Sequence, residues 1–117
     1  MATIAVQTLP ANGQPLVGNI VFTACTAGGD EFANTGNEIV LVRGDASWTV
    51  ETAQIEGVPS GDSGRDGTSL LAPGAVGAIA GAGPFLKRNW NAAGVAQVTY
   101  PGGVAATSLS IAVVRFR

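Results

Sequence analysis

A chain of 117 residues has room for one domain, because single cores generally run to roughly 100–200 residues. Its 46% hydrophobic residues supply enough apolar area for an ordered core, while 12% charged residues, Gly 17 and Pro 6 argue against helix bundles and coiled coils. The net charge is -2 and the Lys+Arg 6 are scattered, so no basic footprint for nucleic acid exists.

Apolar residues alternate with polar ones in short runs separated by Gly, Pro, Asn and Asp, the pattern of half-buried strands joined by tight turns. The first run is Thr3 to Thr8, with Ile4 and Val6 on one face. The segment Pro10-Ala11-Asn12-Gly13-Gln14-Pro15 breaks it, since proline lacks a ladder donor. Residues 1–18 therefore read as an N-terminal arm or an edge strand, and 19–117 as the domain proper. Asn19 to Thr26 is the second run. Glu38 to Arg43 is apolar on both faces, as a central strand is, and the Gly44-Asp45 turn leads to a strand from Trp48 to Ile55. Gly57 to Gly67 holds four glycines and no periodicity, and so reads as a long surface loop. Thr68 to Leu71 is a short strand, Gly77 to Ala80 a thin one, Pro84 to Asn91 a corner with a helical turn, Val95 to Tyr100 a strand, and Ser108 to Phe116 the last. About eight short strands in one domain predict an all-β sandwich or jelly-roll-like fold.

The predicted core is Ile4, Val6, Phe22, Phe32, Ile39, Leu41, Val50, Phe85, Val98, Tyr100, Leu109, Ile111 and Val113. Cys 1 excludes an intrachain disulfide, and Cys25 within a strand-like run reads as a small buried hydrophobe. No basic, continuously apolar leader and no run of roughly 18 apolar residues occurs, so the expected site of synthesis is a cytoplasm, without membrane insertion.

Motifs for chemistry are sparse. Gly61-Asp62-Ser63-Gly64 matches the surroundings of a serine protease nucleophile, but His 0 leaves Ser63 without an imidazole base. Asp62, Asp66 and Gly67 imitate part of a calcium loop whose twelfth position, Pro73, provides no carboxylate. Gly81-Ala82-Gly83 lacks the lysine and helix of a phosphate loop. Arg43-Gly44-Asp45 is the tripeptide integrins recognise, and Gly-Asp is also ordinary turn chemistry. The expectation is a protein that is not an enzyme and uses no cofactor and no metal.

One set of residues is more specific. Gly29-Asp30-Glu31-Phe32-Ala33-Asn34-Thr35-Gly36 precedes Ile39-Val40-Leu41-Val42; later come Gly83-Pro84-Phe85, Asn89 or Asn91, Val98-Thr99-Tyr100 and the closing Ser110-Ile111-Ala112-Val113-Val114-Arg115. This order resembles small capsid decoration, or cement, proteins of tailed bacteriophages over roughly residues 29–117; the Gly57 to Gly67 loop and the Ala75 to Ala82 segment depart from the pattern. The resemblance implies a virion structural protein on the outer capsid surface, bound to the major capsid protein and stabilising the assembled shell, with Asp30, Phe32, Asn34, Gly36, Gly83, Pro84, Phe85 and Tyr100 serving architecture. It also implies a homo-oligomer, with a trimer favoured. The contact candidates are Ile4, Val6 and Leu9 in the N-terminal segment and Lys87, Arg88 and Trp90 at the corner. Two rival readings stay open: a receptor- or carbohydrate-binding module displaying Arg43-Gly44-Asp45 and Trp90, and a head-tail connector or tail component.

Overall fold

A computed structural model describes residues 2–8, 20–57, 68–92, 94–105 and 107–115. The elements are β1 (Ala2–Thr3), β2 (Val6–Thr8), β3 (Thr23–Ala24), β4 (Asp30–Phe32), β5 (Glu38–Gly44), β6 (Ala53–Glu56), β7 (Thr68–Leu71), β8 (Ile79–Ala82), the single helical turn α1 (Lys87–Trp90), β9 (Asn91–Ala92), β10 (Val95–Thr99) and β11 (Leu109–Arg115). They form two sheets. The first runs β1-β4-β10-β6-β7 with β9 added to β10; the second runs β2-β11-β5-β8 with β3 added to β11. The parallel pairs β1–β4 and β2–β11 make both sheets mixed.

One apolar cluster joins the sheets. Phe32, Ile55, Leu71, Ala96 and Val98 enter from the first, and Val40, Val42, Leu109, Ile111 and Val113 from the second. The all-β sandwich expected from the sequence is the fold. The central pair is β5 with β11, in antiparallel register from Leu109 opposite Gly44 to Arg115 opposite Glu38. This register places Val40 and Val42 inward with Ile111 and Val113, and turns Ile39, Leu41 and Arg43 to the outer face with Ser110, Ala112 and Val114. The predicted inward phase of Ile39 and Leu41 is therefore reversed. Because all four residues from Ile39 to Val42 are apolar, alternation cannot fix the phase, and register can.

Other expectations shift locally. Val50 is 80% exposed rather than core, because the strand expected from Trp48 begins only at Ala53 and Val50 lies in the preceding bend. Phe22 is half-buried with the Arg43 guanidinium 4.6 Å over its ring. The thin strand is Ile79–Ala82 rather than Gly77 to Ala80, since Gly77 takes a positive φ of 83°. The helical turn falls at the expected corner.

Of the N-terminal segment, residues 2–8 are described, and they run as edge strands; residues 9–18 lie outside the described residues. Residues 2–3 pair with the first sheet and 6–8 with the second, so the chain changes sheets at Ile4 and Ala5. Ile4 is 6% exposed within the core and Val6 packs against it. Ile4 is thus a core residue and Val6 is half-buried, and neither lies on a detached arm; Leu9 lies outside the described residues.

Candidate functional site

Several residues of the spaced set that runs from Asp30 to Tyr100 are far apart in sequence and meet in two polar clusters. In one, Asp30 is fully buried at the start of β4; its Oδ2 accepts from the Tyr100 hydroxyl at 2.5 Å and from the Thr26 amide at 3.0 Å. Burial, and then this bond to the carboxylate, raise the Tyr100 phenol well above its ordinary range. Burial also pushes the neighbouring Cys25 thiol up to about 12, against a lowering contribution from the Tyr100 hydroxyl. Cys25 is thus a buried, protonated thiol, as expected from the sequence, and is poorly suited to act as a nucleophile.

The second cluster ties the loop after β4 to the corner before β9. Asn34 donates through Nδ2 to the Phe85 carbonyl and to Asn91 Oδ1, both at 2.8 Å, while Asn91 Nδ2 returns a bond to the Asn34 carbonyl at 3.0 Å. Asn34 Oδ1 accepts from the Gly36 amide at 3.1 Å, closing the loop on itself. Of the two asparagines named by the pattern, Asn91 has this role, and the side chain of Asn89 lies outside the described residues. Gly83 has φ 128°, and a Cβ there would stand 2.7 Å from the Glu38 carbonyl oxygen, so a side chain is excluded on both grounds. Phe32 and Phe85 are buried anchors, while Pro84 is exposed.

Glu38 extends this region. Its fully buried side chain accepts from the Thr35 amide at 2.7 Å and the Asn37 amide at 3.1 Å, and lies 3.0 Å from Arg115 Nε. Burial acts to raise its pKa but is outweighed by the Thr35 amide and hydroxyl, the Asn37 amide and the Arg115 charge, leaving it below the ordinary glutamate range. Sequence reasoning missed this pairing of a buried Glu38 with a partly exposed Arg115, because a lone Glu heading an apolar run reads as solvated.

The corner holding the other contact candidates is more structural than expected. Trp90 is half-buried, packs on the core and meets Phe85 edge-on, with ring centroids 5.0 Å apart. Lys87 is exposed; the side chain of Arg88 lies outside the described residues. Arg43-Gly44-Asp45 is not displayed as a loop tip. Arg43 Nε pairs with Asp45 Oδ1 at 2.9 Å, Ser110 donates to Asp45 Oδ2, and a Cβ on Gly44 would meet the Ala75 carbonyl oxygen at 2.6 Å. The tripeptide is consumed by the fold. Ser63 and its loop lie outside the described residues.

The two outer faces differ in chemistry. On the first sheet the strand registers bring Glu31 beside Gln97, and Thr99 beside Gln54; Gln54 and Thr99 both donate to Glu56 Oε2. On the second, Ile39, Leu41, Ala112, Val114 and Ile79 form an apolar face in which Ala112 and Val114 are buried, Ile39 and Leu41 half-buried, and Ile79 is 54% exposed. At one end of the sandwich Val50, Glu51, Pro101, Val104 and Ser108 border an open depression of about 510 Å³. Glu51 is held below its ordinary pKa range chiefly by the Thr49 amide, so it serves its own bend. Among the described residues no group of three or more His, Cys, Asp or Glu is placed to hold a metal, and no helix is long and apolar enough to cross a membrane.

Comparisons with family models, with curated proteins and with solved structures find no match.

Proposed function

We propose that this is a non-enzymatic structural protein of a tailed-phage virion, a decoration protein that binds the outer surface of the assembled capsid and stabilises it. The observation that carries the reading is the convergence of the pattern residues: Asp30 with Tyr100, and Asn34 with Phe85 and Asn91, each pair more than 50 positions apart in sequence. A chance string of loosely spaced residues has no reason to meet in space, whereas a fold signature does. The accessible apolar side chains on the outer face of the second sheet, Ile79 with the half-buried Ile39 and Leu41, supply complementary surface for such a role, and free energy of binding to the assembled lattice stabilises that lattice by mass action. The partner is the major capsid protein, and by the resemblance the protein acts as a homo-oligomer, with a trimer favoured.

The test is occupancy on purified heads that lack this protein. Saturable binding of hundreds of copies per head, retained from low to molar salt, is the expected result, because apolar complementarity is insensitive to screening. A few to dozens of copies would identify a connector or tail component. Binding to host envelopes or glycans without binding to heads would favour the receptor module and end the capsid reading.

A further inference from the structure

The second sheet ends on β8, an edge of unusual composition. No charged residue occurs between Asp66 and Lys87, and the strand itself is Ile79-Ala80-Gly81-Ala82, without the lysine, proline or bulge that ordinarily blunts an exposed edge. The opposite edge is treated differently. There the Gln7 side chain bonds the amide and the carbonyl of Val21, both at 2.8 Å, saturating backbone just before β3.

The direction of the open groups follows from the ladder. The Gly44 amide donates to the Ala78 carbonyl at 3.0 Å, so that carbonyl points at β5 and the Ile79 amide, on the same peptide plane, points away. Bonded and non-bonded positions alternate along an antiparallel pair. With Val42 opposite Ala80 and Val40 opposite Ala82, Ala80 and Ala82 bond to β5. Ile79 and Gly81 direct both their N–H and C=O groups outward, and among the described residues no backbone or side-chain hydrogen bond takes them up.

We propose that β8 is a self-recognition edge at which a second copy of this chain adds its own β8 antiparallel across a two-fold axis. Within Ile79–Ala82, the register centred on Ala80 is the one that pairs both outward-directed residues of each strand, Ile79 opposite Gly81 and Gly81 opposite Ile79. Each such pair exchanges both of its backbone hydrogen bonds. Side-chain volume agrees with this register. Ile79 is exposed on the outer face, and Gly81 presents no side chain there; the Cβ position of Gly81 is approached by Leu41 Cδ2 at 2.9 Å. Ile79 of each copy therefore lies over the other's Gly81 and against its Leu41, making the apolar outer faces continuous. No like charges meet across the axis. A foreign strand satisfies the hydrogen bonds equally but has no built-in match to the Ile-then-Gly alternation.

A pair of strands this short buries much less than the roughly 1,200 Å² at the lower bound of stable interfaces. The contact is accordingly weak in dilute solution and populated when copies are crowded, and it stands whether or not the capsid reading does. The measurement is residue-resolved amide exchange on the free protein at about 0.05 mM and about 1 mM, where mass action separates the states. Exchange at Ile79 and Gly81 is expected to slow about twofold or more at the higher concentration, while Ala80 and Ala82 stay protected at both. Ile79→Lys should abolish the slowing and leave Ala80 and Ala82 protected, which shows that the fold is intact. Concentration-independent exchange at Ile79 and Gly81, fast or slow, would overturn the proposal. So would self-association that persists in Ile79→Lys, because another surface would then be responsible.

Discussion

The two sheets share one core and present opposite outer faces. Strands β4, β6 and β10 turn Glu31, Gln54, Glu56, Gln97 and Thr99 outward along with Val95; Gln54 and Thr99 both bond Glu56, and Leu70 opposite Gln54 is exposed. Strands β5, β8 and β11 turn out Ile39, Leu41, Ile79, Ala112 and Val114, and the central β11 is buried on both of its faces. An antiparallel sheet with one solvated side alternates apolar inward and polar outward, whereas a strand covered on both sides is apolar throughout. By this rule the outer face of β4, β6 and β10 is the more solvated, whereas that of β11 is covered, with Ile39 and Leu41 half-buried and Ile79 exposed beside it.

The contrast is sharpest at two chemically matched substitutions. Val114→Asp places a carboxylate on the outer face at a position 3% exposed, with no cation opposite it in the register, where Ile39 is its neighbour. The cost of burying an unpaired charge predicts a loss of roughly 3 kcal/mol or more. Gln97→Asp, on the outer face of the first sheet, should stay within about 0.5 kcal/mol. Chemical denaturation midpoints measure both. Equal, small effects would show that the second sheet's outer face is as solvated as the first's.

The alkaline and acid limbs of stability belong to different buried groups. Cys25 and Tyr100 keep their protons in the fold to higher pH than in the unfolded chain, so the stability they contribute is complete below their unfolded pKa values and is lost as pH rises toward the folded ones. For Cys25 the loss begins near pH 8.5 and continues to about 12, at up to about 1.4 kcal/mol per pH unit, and Tyr100 adds a second such slope above about pH 10. Cys25→Ala should remove the earlier slope and leave the later one. Glu38 has the opposite sign. Its folded pKa is depressed, so its contribution is complete above about pH 4.3, the unfolded value, and falls away in acid. Glu38→Gln should flatten the acid limb alone, and a flattened alkaline limb in that variant would contradict the assignment.

What the sequence disclosed follows the same division. On β10 and β11, Val98 and Leu109, Ile111 and Val113 alternate with polar or small residues, so their inward phase was legible. On β5 it was not, since Ile39 through Val42 are apolar on both parities and Glu38, the one polar cue, is buried against Arg115 and Thr35. A buried charge inverted the cue. Val50 misled for another reason: Trp48, whose indole donates to the Glu51 carbonyl at 2.8 Å, belongs to a bend and not to a strand. The polar clusters of Asp30 and Asn34 were legible only as members of a pattern, because their partners lie 70 and 51 to 57 positions away.

The smallest expected effect completes the comparison between the faces. Leu41 is half-buried beside Gly81 and Ala112, so Leu41→Gln should cost about 1 kcal/mol through lost apolar contact. Glu31→Gln, on the polar face, should change stability by less than about 0.5 kcal/mol, because a half-exposed carboxylate with no ion pair among the described residues contributes little. The pair becomes most informative on capsids. If the apolar face is the one seated on the shell, Leu41→Gln lowers occupancy by more than its small folding cost accounts for, while Glu31→Gln binds as the parent does. Should Glu31→Gln instead reduce occupancy, and do so only at low salt, the polar face would be the seated one and contact would run through charge; the open edge at β8 would then lie on the far side from the shell's grip.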